Sequence, residues 1–254
     1  MKRQQRLNAI IKYLESNPVV SVSNLSKIFD VSDVTMRRDL NELQRRKLVK
    51  RMHGSVMLYP QDDISIPGFR QKALENVHEK KLIAQAAADL VAEGTLIFVN
   101  GGSTTYEFIS RICDKNVTIV TNNAITVNLI DDANARLIIT GGEYNSTAYT
   151  FSGELTVRFL STINADMCFL GTNGISATGG LSTYYHEESN INTEMIRKCH
   201  GPLVVMADHS KIGKTYHFTN ECLDRIDYLI TDKKADADEL QAISKNRAIK
   251  IIKK

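Results

Sequence analysis

Residues 31–45 read VSDVTMRRDLNELQR, and the way this run winds decides how the N-terminal part of the chain is built. At 100° per residue, Met36, Leu40 and Leu43 fall into one narrow apolar stripe. Val34, Arg38, Asn41 and Arg45 fall on the opposite face with Arg37 beside them, and the acids Asp39 and Glu42 are expected at the flanks. A solvated helix usually mixes both signs of charge on its outer face. A face that keeps bases and small polar groups suits the major groove of duplex DNA, where guanidinium groups meet guanine edges or phosphates. Ser32 can cap this helix, predicted over 33–46, and Asp33 in its first turn suits the helix dipole. The competing reading is a charged surface helix laced with Arg–Asp pairs.

Working outward, Leu7, Ile10, Ile11 and Leu14 recur at helical spacing and predict a helix over 3–16, stopped by Asn17-Pro18. Ser21 is placed to cap a short second helix carrying Val22, Leu25, Ile28 and Phe29, followed by a tight turn at Asp30-Val31. Two short helices joined by such a turn make a helix-turn-helix. Beyond it, residues 48–52, a His53-Gly54 turn and residues 55–58 read as a β-hairpin whose Lys50 and Arg51 form a basic wing able to touch the DNA backbone. The expected contacts to double-stranded operator DNA are Ser32, Val34, Thr35, Arg37, Arg38, Asn41, Lys50 and Arg51. Charge agrees. Residues 1–57 hold 12 Lys and Arg against 5 Asp and Glu, a balance of +7; the rest hold 20 against 24, a balance of −4, for the whole-chain +3. A basic head on a mildly acidic body suggests that the head meets a polyanion.

Composition bounds the remaining classes. Of 254 residues 43% are apolar and 24% charged, the mix of a globular protein. No apolar run approaches the ~18 residues of a membrane span, and the opening MKRQQRLNAI lacks the pattern of a secretory signal. Cys113, Cys168, Cys199 and Cys222 are scattered, so neither a disulfide framework nor a zinc site is expected, and the cytoplasm is the default address. Neither metal nor cofactor is expected.

A linker is expected over 59–70, rich in Pro, Asp and Gly, and a second domain over 71–254. Helical periodicity resumes over 69–91, with Ile83, Ala87 and Leu90 on one side. Strands are predicted at 95–99, 117–121, 136–140, 167–170, 203–207, 228–231 and 249–252, several of them continuous apolar runs. The body reads as an α/β domain, a mostly parallel sheet with helices on both faces. After five of these strands come small and polar groups: Asn100-Gly101-Gly102-Ser103-Thr104-Thr105, Asn122-Asn123, Gly141-Gly142, Gly171-Thr172-Asn173-Gly174 and Asp208-His209-Ser210-Lys211. In an open parallel sheet all five converge on one rim, where ligands bind. Gly101, Gly102, Ser103, Thr104 and Thr105 have the makings of a phosphate cradle, with backbone N–H groups, a helix N-terminus and three hydroxyls, though no Gly-Lys-Ser/Thr follows. Its bland alternative is a capped strand-to-helix turn. Lys211 can be a second phosphate contact or a surface lysine. Asp208, Asn122 and Asn173 can bond sugar hydroxyls, or in the case of Asp208 simply serve a turn. Gly141, Gly142 and Gly174 complete the rim.

The run VSDVTMRRDL, followed by LVKRMHGSV, resembles the DNA-binding signature of the DeoR family of bacterial regulators, with Ser32, Thr35, Arg37, Arg38 and Asp39 at the family's positions. In the body FVNGGSTT, VTNN, ITGG, FLGTNGIS, GGLSTYYHEE and ADHSKIG follow in the order of that family's effector domain. The resemblance implies a winged helix-turn-helix head and a sensor for a phosphorylated sugar or related metabolite, whose fold is similar to ribose-phosphate isomerases and CoA-transferases. It also implies a homo-oligomer, dimer or tetramer, repressing genes for sugar uptake or catabolism. Four departures stand out: Ser55 where a second wing glycine is usual, Asn100 for an acid, Asn192-Thr193 for a basic pair, and His209 for a small residue. Two other readings stay open. One is a sugar-phosphate isomerase with a fused DNA-binding head, using Glu187 or Glu188 as general base beside Lys211; the other is a nucleoid protein without a ligand.

Overall fold

The computed structural model describes residues 3–16, 20–45, 48–52, 55–58, 68–129, 134–221, 223–246 and 249–254. The chain divides into two compact units, Met1–Ile66 and Pro67–Lys254. The expected Asn17-Pro18 stop, the His53-Gly54 turn and positions 59–67 of the expected linker lie outside the described residues.

In the first unit the order is α1 (Arg3–Ser16), β1 (Val20–Ser21), α2 (Val22–Ile28), α3 (Asp33–Arg45), β2 (Val49–Met52) and β3 (Ser55–Leu58). Ser21 caps α2, its Oγ accepting from the Asn24 N–H at 3.2 Å. Asp30 takes the left-handed conformation (φ 50°), which a short polar side chain tolerates, and so turns the chain between the two helices. Ser32 caps α3 by accepting from the Thr35 N–H at 3.3 Å. Met36, Leu40 and Leu43 pack with Leu7, Ile10, Leu14 and Leu25 in one core. Each such buried side chain contributes roughly 1.5–3 kcal/mol. The hairpin forms in the register Val49↔Leu58, Lys50↔Met57, Arg51↔Val56, Met52↔Ser55. The sequence reading missed β1, two residues that pair antiparallel with β3 and tie the hairpin to the helices. It also misplaced Asp39. This residue is not a flanking surface acid but is 1% exposed, its carboxylate accepting from Arg3 Nε at 3.1 Å and Arg6 Nε at 2.7 Å. A carboxylate can be buried in the first unit because the largely buried Arg6 and the exposed Arg3 of α1 both reach it.

The second unit opens with α4 (Phe69–Leu74) and α5 (Val77–Ala88). One helical run was expected here; it breaks at Asn76, which is left-handed (φ 48°, ψ 40°). There follow β4 (Leu96–Val99), α6 (Ser103–Ile112), β5 (Thr118–Thr121), β6 (Arg136–Ile139), β7 (Glu143–Asn145), β8 (Thr150–Ser152), α7 (Glu154–Ser161), β9 (Met167–Gly171), β10 (Gly174–Ser176), β11 (Gly180–Thr183), α8 (His186–Arg197), β12 (Leu203–Met206), β13 (Phe218–Glu221), β14 (Tyr228–Thr231), α9 (Ala237–Asn246) and β15 (Lys250–Lys253). All seven expected strands join one parallel sheet in the order β15-β14-β12-β9-β4-β5-β6. Alternate strand residues feed two cores. Phe98, Leu170 and Val205 face α7, α8 and α9, while Ile97, Phe169 and Val204 face α5 and α6. Two small antiparallel additions, β10-β11-β13 and the β7-β8 hairpin, were not anticipated. Their strands are short and do not alternate cleanly between apolar and polar. Among the described residues no helix is long and apolar enough to cross a membrane.

Candidate functional site: a lysine-rimmed cleft at the switch point of the sheet

The chain leaves β4 for β5 and β6 on one side, then returns to place β9 on the other. The carboxyl ends of β4 and β9 therefore bound the crevice that a doubly wound sheet leaves open. Asn100, directly after β4, holds this junction. Its Nδ2 donates to Gly171 O and to Asn192 Oδ1, both at 2.9 Å, and its Oδ1 accepts from the Gly171 N–H at 2.8 Å. A carboxylate here would lose both donations. Asn100 and Asn192, two positions noted above as departing from the pattern the chain resembles, are thus in contact as a neutral amide pair.

The cleft beside this junction encloses about 50 Å³ and is lined by Lys72, Lys80, Gly101, Gly102, Ser103, Thr104, Gly171, Thr172, Asn173, Glu188, Met206, Ala207, Asp208 and Lys211. Seven of the twelve expected effector residues meet there: Gly101, Gly102, Ser103, Thr104, Asn173, Asp208 and Lys211. Gly101 has no room for a side chain, since a Cβ would stand 2.2 Å from Thr150 Cγ2. Among the described residues the hydroxyls of Ser103 and Thr104 have no hydrogen-bond partner, whereas Thr105 is fully buried and donates to Gly102 O at 3.0 Å. Asp208 accepts from Asn76 Nδ2 and the Ser210 N–H, each at 3.0 Å, and caps the turn that carries Lys211. Asn173 is also engaged: its Oδ1 accepts from Lys72 Nζ at 2.9 Å, and its Nδ2 donates to Thr183 Oγ1 at 2.7 Å and Glu188 Oε2 at 3.1 Å.

The other five expected residues do not line the cleft. Thr105 faces inward. Asn122 donates to Phe151 O at 2.9 Å, while its buried Oδ1 has no partner among the described residues. Gly141 has its carbonyl taken by Thr156 Oγ1 at 2.6 Å. Gly142 (φ 111°) abuts β8, where a Cβ would come 2.5 Å from Ser152 O, and Gly174 backs onto Lys214 O at the same distance. His209 donates its backbone N–H to Asp232 Oδ2 at 2.7 Å and sets its ring Nδ1 3.1 Å from the same carboxylate. Glu188 lines the cleft; Glu187 is exposed.

Sequence reading missed Lys72 and Lys80. Lys80 is 4% exposed, and its ammonium donates to the carbonyls of Lys72, in the last turn of α4, and, at 2.6 Å, of Glu75, its C-cap. Lys72 also lies 5.6 Å over the Tyr184 ring. Burial, with Lys211 nearby, holds both amines below the ordinary lysine value of 10.5, against the opposing pull of Glu188 on Lys72 and of Asp208 on Lys80. The signal for Lys80 was available: it shares a stripe with Ile83, Ala84 and Ala87 at i+3, i+4 and i+7, a place where a charge needs a reason. Three lysines against Glu188 and Asp208 leave the cleft with an excess of positive charge.

On the recognition helix Val34, Arg37, Arg38 and Asn41 are exposed. Ser32 and Thr35 set their hydroxyls 3.0 Å apart. For Lys50 and Arg51 the structure describes the backbone register alone.

Residues 6–61 match the DeoR-like helix-turn-helix domain and residues 75–233 the DeoR C terminal sensor domain. The chain is 33% identical over 247 residues to the glycerol-3-phosphate regulon repressor of Escherichia coli K12, covering 96% of each, and 31% identical over 232 residues to the HTH-type transcriptional regulator GolR of Listeria innocua, covering 91% of each. Among solved structures, a D-ribose-5-phosphate isomerase in complex with phospho-erythronic acid aligns with 52% of each chain at 15% identity and a TM-score of 0.38, too low to bear on activity. With a DNA-reading head and a sensor body both matched, and relatives alike over nearly their whole length, the chain belongs to the DeoR family of transcriptional regulators.

Proposed function

We propose that this regulator is a cytoplasmic repressor of sugar uptake or catabolism genes, and that a phosphorylated sugar or a related phosphorylated metabolite in the lysine-rimmed cleft changes its hold on DNA. The observation that carries the reading is the meeting of Lys72, Lys80 and Lys211 with the Gly101–Thr104 loop at the sheet's switch point. Backbone N–H groups at a helix N-terminus, two hydroxyls without partners and three ammonium groups are what a phosphate dianion requires. Glycerol 3-phosphate appears in the name of one relative, which agrees with a small phosphorylated effector.

The contacts to operator DNA are assigned to Ser32, Val34, Thr35, Arg37, Arg38, Asn41, Lys50 and Arg51, on heads of a homo-oligomer that meet repeated or palindromic half-sites. An effector shifts such an equilibrium only if it binds the two states unequally. Lys80 supplies a reason for inequality. Its ammonium gives two of its three N–H groups to the carbonyls of Lys72 and Glu75 at the C-terminal end of α4, so an anion that takes the third draws the ammonium away from them and loosens that helix end. Glu188 does not act as a catalytic base in this scheme, because it holds Asn173 and Thr183 in place.

The test is a thermal-shift panel of phosphosugars and phosphopolyols, followed by titration of promoter DNA with each hit and by NMR of the incubated mixtures. A phosphorylated compound is expected to raise Tm, to change DNA affinity and to remain unconverted. No shift with any phosphorylated compound would remove the sensor assignment, and a converted product would restore the isomerase reading. On the DNA side Arg38→Ala is expected to weaken operator binding by ~1–3 kcal/mol. An unchanged footprint and affinity would take Arg38 off the interface.

A further inference from the structure

The outward face of α3 carries one group that its own unit does not explain. Val34 is 78% exposed, although valine has a low helix propensity and contributes to stability chiefly by being buried. Its surroundings are polar and charged. It precedes Arg37 by three residues and Arg38 by four, so its methyl groups share a patch with two exposed guanidiniums. The neighbouring hydroxyls of Ser32 and Thr35 lie 3.0 Å apart, and Ser32 also caps the helix, so the apolar group among them is Val34 alone. At the start of this helix one isopropyl group therefore projects beside the Asp33 carboxylate, with the guanidiniums of Arg37 and Arg38 one turn further on.

A helix whose outward face carries bases in this way enters the major groove with its N-terminal residues against base edges. The apolar group displayed on that floor is the C5-methyl of thymine. We propose that Val34 reads a thymine methyl in each half-site, with Arg37 and Arg38 holding the helix against the neighbouring phosphates or purine edges. This rests on the DNA-binding reading above and adds to it one base and one atom group. Val34 acts as a specificity residue: it rejects cytosine, whose corresponding edge lacks the methyl and presents an amino donor that valine cannot satisfy.

The test separates this contact from DNA binding as such. The full chain is used to select a preferred duplex from a random pool, and each thymine of that duplex is then replaced by uracil, which removes the methyl and nothing else. Affinities of the wild type and of Val34→Ala are measured for every duplex; because Val34 is exposed, the alanine variant should keep its fold and its Tm. At one thymine per half-site, uracil is expected to weaken the wild type about fourfold, the weight of one methyl group kept from water. The same change should alter Val34→Ala by less than twofold, and selection with that variant should lose its preference for thymine over cytosine there. A wild type that selects a clear duplex yet shows no thymine whose methyl is coupled to Val34 would overturn the inference and leave the DNA-binding reading standing. A wild type that enriches no sequence would overturn both.

Discussion

At the residue scale, Asp39 shows how one side chain can be assigned correctly in type and wrongly in place. Helical winding places it at the flank of the basic face. The fold instead buries it and brings Arg3 and Arg6 from α1, partners separated from it by 36 and 33 residues, which no local pattern reveals. Asp39→Asn keeps the shape and removes the charge, so one of the two charge-assisted bonds is lost. The expected cost is about 1.5–3 kcal/mol, read as a lower urea midpoint for the first unit. An unchanged midpoint would mean that α1 and α3 are held by their apolar stripe alone. Lys72 and Lys80 were missed for the related reason that they precede the strand loops by many residues. The loops themselves were legible, because glycine and hydroxyl residues after a buried strand have few other uses.

At the scale of elements, the seven parallel strands could be read because burial on both faces makes each a short continuous apolar run. The small antiparallel sheets could not, since β10 and β11 owe their burial to neighbours distant in sequence. The break between α4 and α5 was equally hidden. Asn76 adopts a left-handed conformation that costs little for asparagine, and its side chain is occupied by Asp208. Lys80 then donates to the Glu75 carbonyl and joins the Glu75 N–H on the Lys72 carbonyl. Lys80→Met keeps most of the aliphatic stem and removes the donor. Amide hydrogen exchange over residues 69–76 is expected to quicken, with little change in the strands of the central sheet. Equal exchange in variant and wild type would show that α4 is secured by Phe69, packed between Tyr106 and Tyr149, rather than by this ammonium.

For the whole molecule, the half-buried Lys72 and the buried Lys80 make effector binding and folding respond to pH in opposite directions. Lys72 and Lys80 are held below 10.5 by burial, so between their folded values and 10.5 the unfolded chain binds more protons than the folded one. Through that window these two groups make the free protein more stable as pH rises. Anion binding requires them charged, so the increment in Tm given by a phosphorylated ligand should shrink over the same alkaline range. Measured as the difference between liganded and free protein from pH 7 to 10, the increment cancels other titrations; a constant increment would exclude these two amines from the contact. Architecture was legible at this scale through the charge split between head and body and through the order of the strands. The junction at the crevice has a further consequence for descent. Because Asn100 donates to Asn192 across it, a charged side chain introduced at either position alone would meet a neutral amide and pass through a mismatched intermediate. Anyone redesigning this junction should therefore change the two codons together.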